Sequence, residues 1–330
     1  VTLADIWQEL AREPGFGFAT RRLHPDSRVD LFAYLDLASH VRSLRLIRDW
    51  RSSDSLPTLP GSAGVRCRGE LHDAGRQMHV VVELTDPQLA DAFTPLVEDL
   101  AARTAGASDE HDALSRLADG LGEWKQLLDS LAAEGMGTLV RRGLAGELLI
   151  LRDILLPRRR EAAVEAWTGP LKANQDFQFS DLAIEVKVTT GKQPQAFRVA
   201  NERELDERHA ATLLLAHLSL DERLGGDGDT LPELVATIDD RLAGAPAARQ
   251  LMRDRLARVG YLAHHSGYYE EPHYGIRTLR WFTIRNGFPR LTEVQLPDGV
   301  GDIAYSVTLA ACLDFEIADT DVLAMLESTP

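Results

Sequence analysis

The sequence predicts an α/β protein: a mixed sheet flanked by helices in the C-terminal two-thirds, preceded by an α+β domain. Three observations predict it. Residues 175–187, reading Gln-Asp-Phe-Gln-Phe-Ser-Asp-Leu-Ala-Ile-Glu-Val-Lys, alternate apolar and polar side chains on both sides of a Ser180-Asp181 turn, as a β-hairpin does. Two leucine-rich helical segments precede this hairpin. A bounded apolar run at 211–218 follows it, as expected of a strand covered on both faces.

Taken in order, residues 5–13 read as a short amphipathic helix with Ile6, Trp7 and Leu10 on one side. Strand-like text fills 20–85, with apolar runs at 31–35 and 78–84 separated by Gly, Pro, Ser and Asp. Pro87 opens a helix to about 103, carrying Leu89, Phe93, Leu96, Val97 and Leu100 at helical spacing. The stretch 104–109 is the linker candidate, which gives an N-terminal α+β domain at 1–106 and a second domain at 107–330. A helix over 109–134 turns Leu114, Leu117, Leu121, Trp124, Leu127, Leu128 and Leu131 inward until Gly135-Met136-Gly137 stops it. The next, 138–156, is expected to be heavily buried through Leu139, Leu144, Leu148, Leu149, Leu151, Leu155 and Leu156, with Pro157 ending it. After the hairpin come a helix near 201–210, the strand at 211–218 and a helical pair within 231–259. Strands are then expected at 276–285, 291–294 and 303–311, with an Asn286-Gly287 turn after the first.

The chain has 330 residues, 44% hydrophobic and 26% charged, ordinary globular values with room for two domains. No run of 18 or more apolar residues predicts a membrane span. The opening Val1-Thr2-Leu3-Ala4-Asp5-Ile6-Trp7 lacks the basic-then-apolar order of a secretion signal. Cys67 and Cys312 read as reduced, buried thiols. These features point to a cytoplasmic protein. A net charge of −15 should repel nucleic acid as a whole, because non-specific affinity comes largely from neutralised phosphates. A nucleic-acid role therefore requires a local basic surface, a divalent metal or a partner that delivers the substrate. Basic clusters occur at Arg21-Arg22, Arg141-Arg142 and Arg158-Arg159-Arg160, although each also reads as a solvated face or a helix C-terminus.

The hairpin carries the chemistry. With a two-residue turn at Ser180-Asp181, Phe179 faces Leu182, Phe177 faces Ile184 and Asp176 faces Glu185. Alternation places Phe177, Phe179, Leu182, Ile184, Val186 and Val188 on one apolar face. Asp176, Gln178, Ala183, Glu185, Lys187 and Thr189 share the other. Opposed residues have Cβ atoms roughly 4.5–5.5 Å apart, so two carboxylates and a lysine converge. Opposed carboxylates repel, and burial worsens the conflict. A bound Mg²⁺ resolves it, since a hard cation prefers carboxylate oxygens and keeps waters for chemistry. Lys187 can then orient or deprotonate an attacking water and offset phosphate charge. The alternative is an exposed hairpin whose Glu185–Lys187 contact lies at the surface.

Three stretches together are similar to a known group: 143–149 (Gly-Leu-Ala-Gly-Glu-Leu-Leu), 165–170 (Glu-Ala-Trp-Thr-Gly-Pro), and the hairpin ending Glu185-Val186-Lys187-Val188-Thr189-Thr190. They resemble the bacterial PD-(D/E)XK motif proteins of the PD-(D/E)XK nuclease superfamily. The resemblance runs through most of the chain and is sharpest over 139–206. It implies a restriction-endonuclease-like core and a restriction or phage-defence setting. It also implies that Asp176 and Glu185 are the motif's acids and Lys187 its lysine, with Glu147 matching the helix acid that adds a metal contact in many relatives. On the residues alone, Glu147 lies among Leu144, Leu148 and Leu151 and faces either a pocket or the outer side of its helix. Gln175 stands where the motif often has Pro. Gln193, Asn201 and Glu204 are candidates for the polar group some relatives carry on the following helix, and Thr189, Thr190 and Lys192 for phosphate contacts.

The expected function is metal-dependent endonucleolytic hydrolysis of DNA phosphodiester bonds. Glu147, Asp176 and Glu185 would hold Mg²⁺ (or Mn²⁺), and Asp176, Glu185 and Lys187 would be catalytic. Separate defence-system subunits are expected partners, and a homodimer would supply the two sites that double-strand cleavage needs. The alternative is a non-catalytic scaffold subunit that retains the fold. His264-His265 and His273 match no zinc spacing and read as a polar, aromatic loop, in which Tyr268, Tyr269 and Tyr274 either stack on bases or pack the loop. No phosphate-binding Gly-x-x-x-x-Gly-Lys-Ser/Thr loop and no Gly-x-Ser-x-Gly elbow occurs.

Overall fold

The computed structural model describes residues 2–50, 59–62 and 64–327. The chain forms two compact units, 1–136 with 260–264, and 137–259 with 265–330. The division expected at 106/107 falls between two helices of the first unit.

In the first unit, α1 (Leu3–Leu10) is opened by a Thr2/Asp5 capping box and buries Leu3, Trp7 and Leu10. Five antiparallel strands follow, β1 (Phe18–Leu23), β2 (Asp30–Asp36), β3 (Arg42–Asp49), β4 (Val65–His72) and β5 (Gln77–Leu84), in the order β1-β2-β3-β5-β4. Arg45, lying under the rings of Phe18 and Tyr34, and Arg68, paired with Glu70 and Glu83, interrupt the apolar alternation of β3 and β4. That is why those strands are hard to delimit by pattern. Helices α2 (Ala90–Ala105) and α3 (Glu110–Glu134) pack together. At Gly120 a Cβ would lie 2.7 Å from Leu100 Cδ2, while Arg103 pairs with Glu123 and Trp124 Nε1 donates to Asp99. Ala113, Leu117, Leu121 and Trp124 are buried. The side chains of Leu127, Leu128, Leu131 and His264 lie outside the described residues.

The second unit opens with α4 (Thr138–Ile150), which runs through a π-helical turn, Leu151–Leu155, into α5 (Leu156–Arg159). Pro157 therefore lies inside the helical stretch. A ring without an N–H five residues after Arg152 leaves the Arg152 carbonyl without its π-helical donor, and Arg241 donates to it instead. Arg160, at φ 49°, ends the run. Leu139, expected to be buried, is 78% exposed, because it belongs to the first turn, before the buried segment that begins at Leu144.

After α6 (Glu161–Ala166), the hairpin strands β6 (Phe177–Gln178) and β7 (Leu182–Thr189) join β9 (Thr212–Arg223), β10 (His273–Ile284) and β12 (Glu316–Ile317). The sheet order is β12-β10-β9-β7-β6, and only the β7–β9 pair is parallel. A two-stranded ribbon, β8 (Ala196–Val199) with β11 (Tyr305–Thr308), covers one face through Ala183, Phe197, Val199, Leu213, Leu215 and Val307. Helices α7 (Leu231–Arg241), α8 (Pro246–Val259) and α9 (Asp319–Glu327) complete the unit.

Three sequence expectations fail locally. The helix near 201–210 is a turn with a 3-10 piece, Glu207–His209, because acids there bond backbone N–H groups: Glu204 takes Ala200 N, and Asp206 takes Arg208 N. The strand at 291–294 is replaced by a 3-10 turn, Glu293–Gln295, closed by a Thr292/Gln295 capping box. The strand at 303–311 shortens to β11 and continues as a 3-10 stretch, Leu309–Phe315, which buries Cys312. Both cysteines are free thiols. Among the described residues no helix is long and apolar enough to cross a membrane.

Gly146 sets the approach of α4 to β7, since a Cβ there would sit 2.2 Å from Val188 Cγ2. Gly146→Ala should lower the urea midpoint, with a cost of about 1–3 kcal/mol. An unchanged midpoint would show that α4 does not depend on this contact.

Candidate active site

The hairpin register is the one its alternation predicts: Phe177 pairs with Ile184 and Gln178 with Ala183. Phe179 N donates to Leu182 O at 2.8 Å across the Ser180-Asp181 turn. The β7 part of its polar face, which carries Glu185 and Lys187, does not lie exposed. Strand β7 is interior to the sheet, and Glu185 is only 4% exposed. That excludes a surface Glu185–Lys187 contact.

Beyond Phe177 the ladder gives way to side-chain bonding. A continued ladder would join Val186 N–H to the Gln175 carbonyl. Instead Val186 N donates to Asp176 Oδ2 at 2.8 Å, and the Gln175 carbonyl accepts from the Thr168 hydroxyl at 3.0 Å. The Trp167-Thr168-Gly169 turn clamps Asp176 from the other side, since Thr168 N and Gly169 N both donate to the Asp176 carbonyl, at 2.7 and 2.9 Å. Trp167 Nε1 donates to Glu147 Oε2 at 2.7 Å, so Glu147 faces inward from α4. Arg255 on α8 secures this turn by bonding the carbonyls of Val164, Glu165 and Trp167. Gly169 has no side chain for a further reason: a Cβ there would lie 2.8 Å from Asp176 Oδ1 and 2.9 Å from Glu147 Oε2. These two carboxylates border one space that Gly169 keeps clear.

On β7, Lys187 Nζ is held between Glu185 Oε1 at 2.7 Å and Glu204 Oε2 at 2.5 Å. Glu204 is in turn fixed by Ala200 N, 3.1 Å from both of its carboxylate oxygens. Of the three candidates after the hairpin, Glu204 is the one that meets Lys187. Asn201 caps its own turn at Arg203 N, and Gln193 accepts from Gln195 N. Gln175, in place of the motif proline, is buried and donates to the carbonyls of Arg203 and Glu204. It thereby ties the Glu204 segment to the hairpin, which a proline could not do. His217, beside Lys187 in register, is pushed down to about 4 by burial. It is neutral at neutral pH and lies 3.3 Å from the Thr189 hydroxyl.

The electrostatics follow from burial. Burial, and then the neighbouring Asp176, raise Glu147 and Glu185 well above the usual carboxylate range. Burial pushes Asp176 up to about 6, although the Val186 N–H and Lys187 work against the rise. For Lys187, burial opposes the charge, but Glu185 and Glu204 outweigh it and hold the pKa above its ordinary value. Lys187 is therefore an ammonium at neutral pH. It can offset charge or orient water but is not set up to deprotonate it.

No three His, Cys, Asp or Glu side chains among the described residues form a ready-made metal ligand set. The donor chemistry nevertheless fits a hard divalent cation. Carboxylate oxygens of Asp176 and Glu147 border a space cleared by Gly169, and neither acid is ion-paired among the described residues. Asp176 and Glu147 border that space directly, whereas Glu185 shares an oxygen with Lys187.

The basic clusters are largely paired: Arg21 with Glu9, Arg22 with Asp30, Arg142 with Glu222, and Arg159 with Asp181. Lys192 is exposed, and Thr190 lines a separate cleft. The functional partners that residue-level reading passed over, Trp167 and Gly169, lie inside the 165–170 stretch that carried the family resemblance.

Residues 3–310 match the family model described as "Putative PD-(D/E)XK family member, (DUF4420)". No curated protein and no solved structure matches.

Folded Asp176 holds its proton more tightly than the ordinary value of 3.8 allows. Its contribution therefore favours folding at low pH and is lost as pH rises through about 6. A divalent cation competes with that proton. Mn²⁺ should raise the melting temperature at pH 8 and lose this effect at pH 5. Asp176→Asn should melt higher than the metal-free parent at pH 8, by about 1–3 kcal/mol of stability, and show no Mn²⁺ shift. Equal Mn²⁺ shifts in the two proteins would place the cation elsewhere.

Proposed function

The chain belongs to this PD-(D/E)XK family, and from that premise we propose that it is a cytoplasmic endonuclease that hydrolyses DNA phosphodiester bonds with Mg²⁺ or Mn²⁺ in a restriction or phage-defence system. The observation that carries the reading is the pair of half-buried carboxylates of Glu147 and Asp176 at the space kept by Gly169, with buried Glu185 held by Lys187 on the adjoining strand. A protein selected for stability alone gains nothing from withdrawing three carboxylates, one buried and two half-buried, from water against one ammonium.

Asp176, Glu147 and Glu185 would hold the divalent cation. When bound, it supplies positive charge to the scissile phosphate and lowers the pKa of water. Trp167 fixes the Glu147 carboxylate, and the Thr168–Gly169 N–H pair fixes the backbone that presents Asp176. Lys187, kept charged by Glu185 and Glu204, neutralises a phosphate oxygen or orients the attacking water. Separate defence subunits and a second copy of the chain are the proposed partners, the latter for double-strand cleavage.

Specific observations also favour a second reading, a non-catalytic subunit that keeps the fold. Both oxygen-rich neighbours of Lys187 already hold it, no ready ligand set exists among the described residues, and the net charge is −15.

Incubation of the purified protein with plasmid and linear DNA plus Mg²⁺ or Mn²⁺ separates the two. Metal-dependent cleavage that falls about 100-fold or more in Lys187→Ala supports the nuclease. Equal cleavage by both proteins would come from a contaminant and refute it. Cleavage by neither, with partner subunits added, supports the scaffold.

A further inference from the structure

A cleft of about 600 Å³, separate from the carboxylate site, is lined by Arg141, Arg142, Thr190, Arg223, Leu224 and Arg277. We propose that this cleft is a track for the sugar–phosphate backbone of one DNA strand leading to the carboxylates; the assignment rests on the nuclease reading.

Charge supports it first. Arg142 pairs with Glu222 and Arg223 with Asp221, so two acids of the lining are neutralised locally. The third, Glu271, takes the Gly225 N–H. Arg141 bonds only neutral oxygens, the Thr138 hydroxyl and the Glu271 carbonyl. Arg277 likewise bonds the carbonyls of Thr190 and Leu220. Two guanidinium charges thus face the cleft without a direct carboxylate partner among the described residues, in a chain whose net charge is −15. Guanidinium groups suit phosphate through paired N–H donors.

Placement supports it second. Thr190 lies three residues past Lys187, about 10 Å along an extended chain. Arg142 lies five residues before Glu147 on α4, about 8 Å along a helix. A strand rising about 3.4 Å per base step would reach from the cleft to the carboxylates within about three steps. Helix α4 begins at the cleft with Gly137, which has no side chain to cap it. Its first-turn N–H groups therefore remain available to an anion.

The test is fluorescence anisotropy of a labelled 20-base-pair DNA duplex in Ca²⁺ over a salt series. Arg141→Glu and Leu224→Glu are compared with the parent and with Arg253→Glu, a control on α8. Leu224 is 85% exposed, so its substitution leaves the fold intact even if Arg141→Glu unfolds. Both cleft variants should bind about tenfold more weakly. Arg141→Glu should also flatten the salt dependence by about one phosphate contact, while the control stays within twofold. Unchanged affinity in both cleft variants, or an equal loss in the control, overturns the track. Cleavage is scored separately. Binding through the cleft without cleavage by the parent keeps the track and removes the nuclease reading, whereas cleavage with unaltered binding in the cleft variants removes the track alone.

Discussion

Four carboxylates and one ammonium gathered at buried and half-buried positions form the constraint on which the second unit depends. Glu185 and Glu204 are matched by Lys187. Asp176 and Glu147 receive only neutral donors, the Val186 N–H and the Trp167 indole. Neutral donors cannot offset the desolvation of two further charges, and the raised pKa values of Glu147, Asp176 and Glu185 express that deficit. Protons relieve that deficit, and a divalent cation is the proposed alternative.

The surrounding fold can be read as the means of holding this arrangement. Gly146 lets α4 lie close on β7, which brings Glu147 toward the hairpin. The Trp167-Thr168-Gly169 turn bonds both Glu147 and the backbone of Asp176, and Arg255 fixes that turn in place. Gln175 performs the corresponding task on the far side by bonding the segment that delivers Glu204. Side chains from α4, the hairpin and the turn after β8 thus converge without relying on a long loop.

Much of this was legible in the sequence, for physical reasons. The hairpin could be registered because apolar alternation and a two-residue turn permit only one pairing that keeps Phe177, Ile184 and Val186 together. Glu204 could not be placed, because its segment reads as helical while its carboxylate binds backbone N–H groups instead. Gly169 is silent in any pattern of hydrophobicity, since its role is the absence of a side chain. The burial of Glu185 was also hidden. It depends on β9 and the β8–β11 ribbon, both of which are distant in sequence and invisible to hairpin alternation. Leu139 misled because apolar spacing cannot show where a helix first meets its sheet.

A divalent cation is proposed for the space kept by Gly169. Anomalous diffraction from crystals soaked in Mn²⁺ at pH 8 tests it most directly. A single strong anomalous peak bordered by Asp176, Glu147 and Glu185 is expected, absent from crystals of Glu147→Gln. A structure with Mn²⁺ only on surface carboxylates, and none in that space, would contradict it.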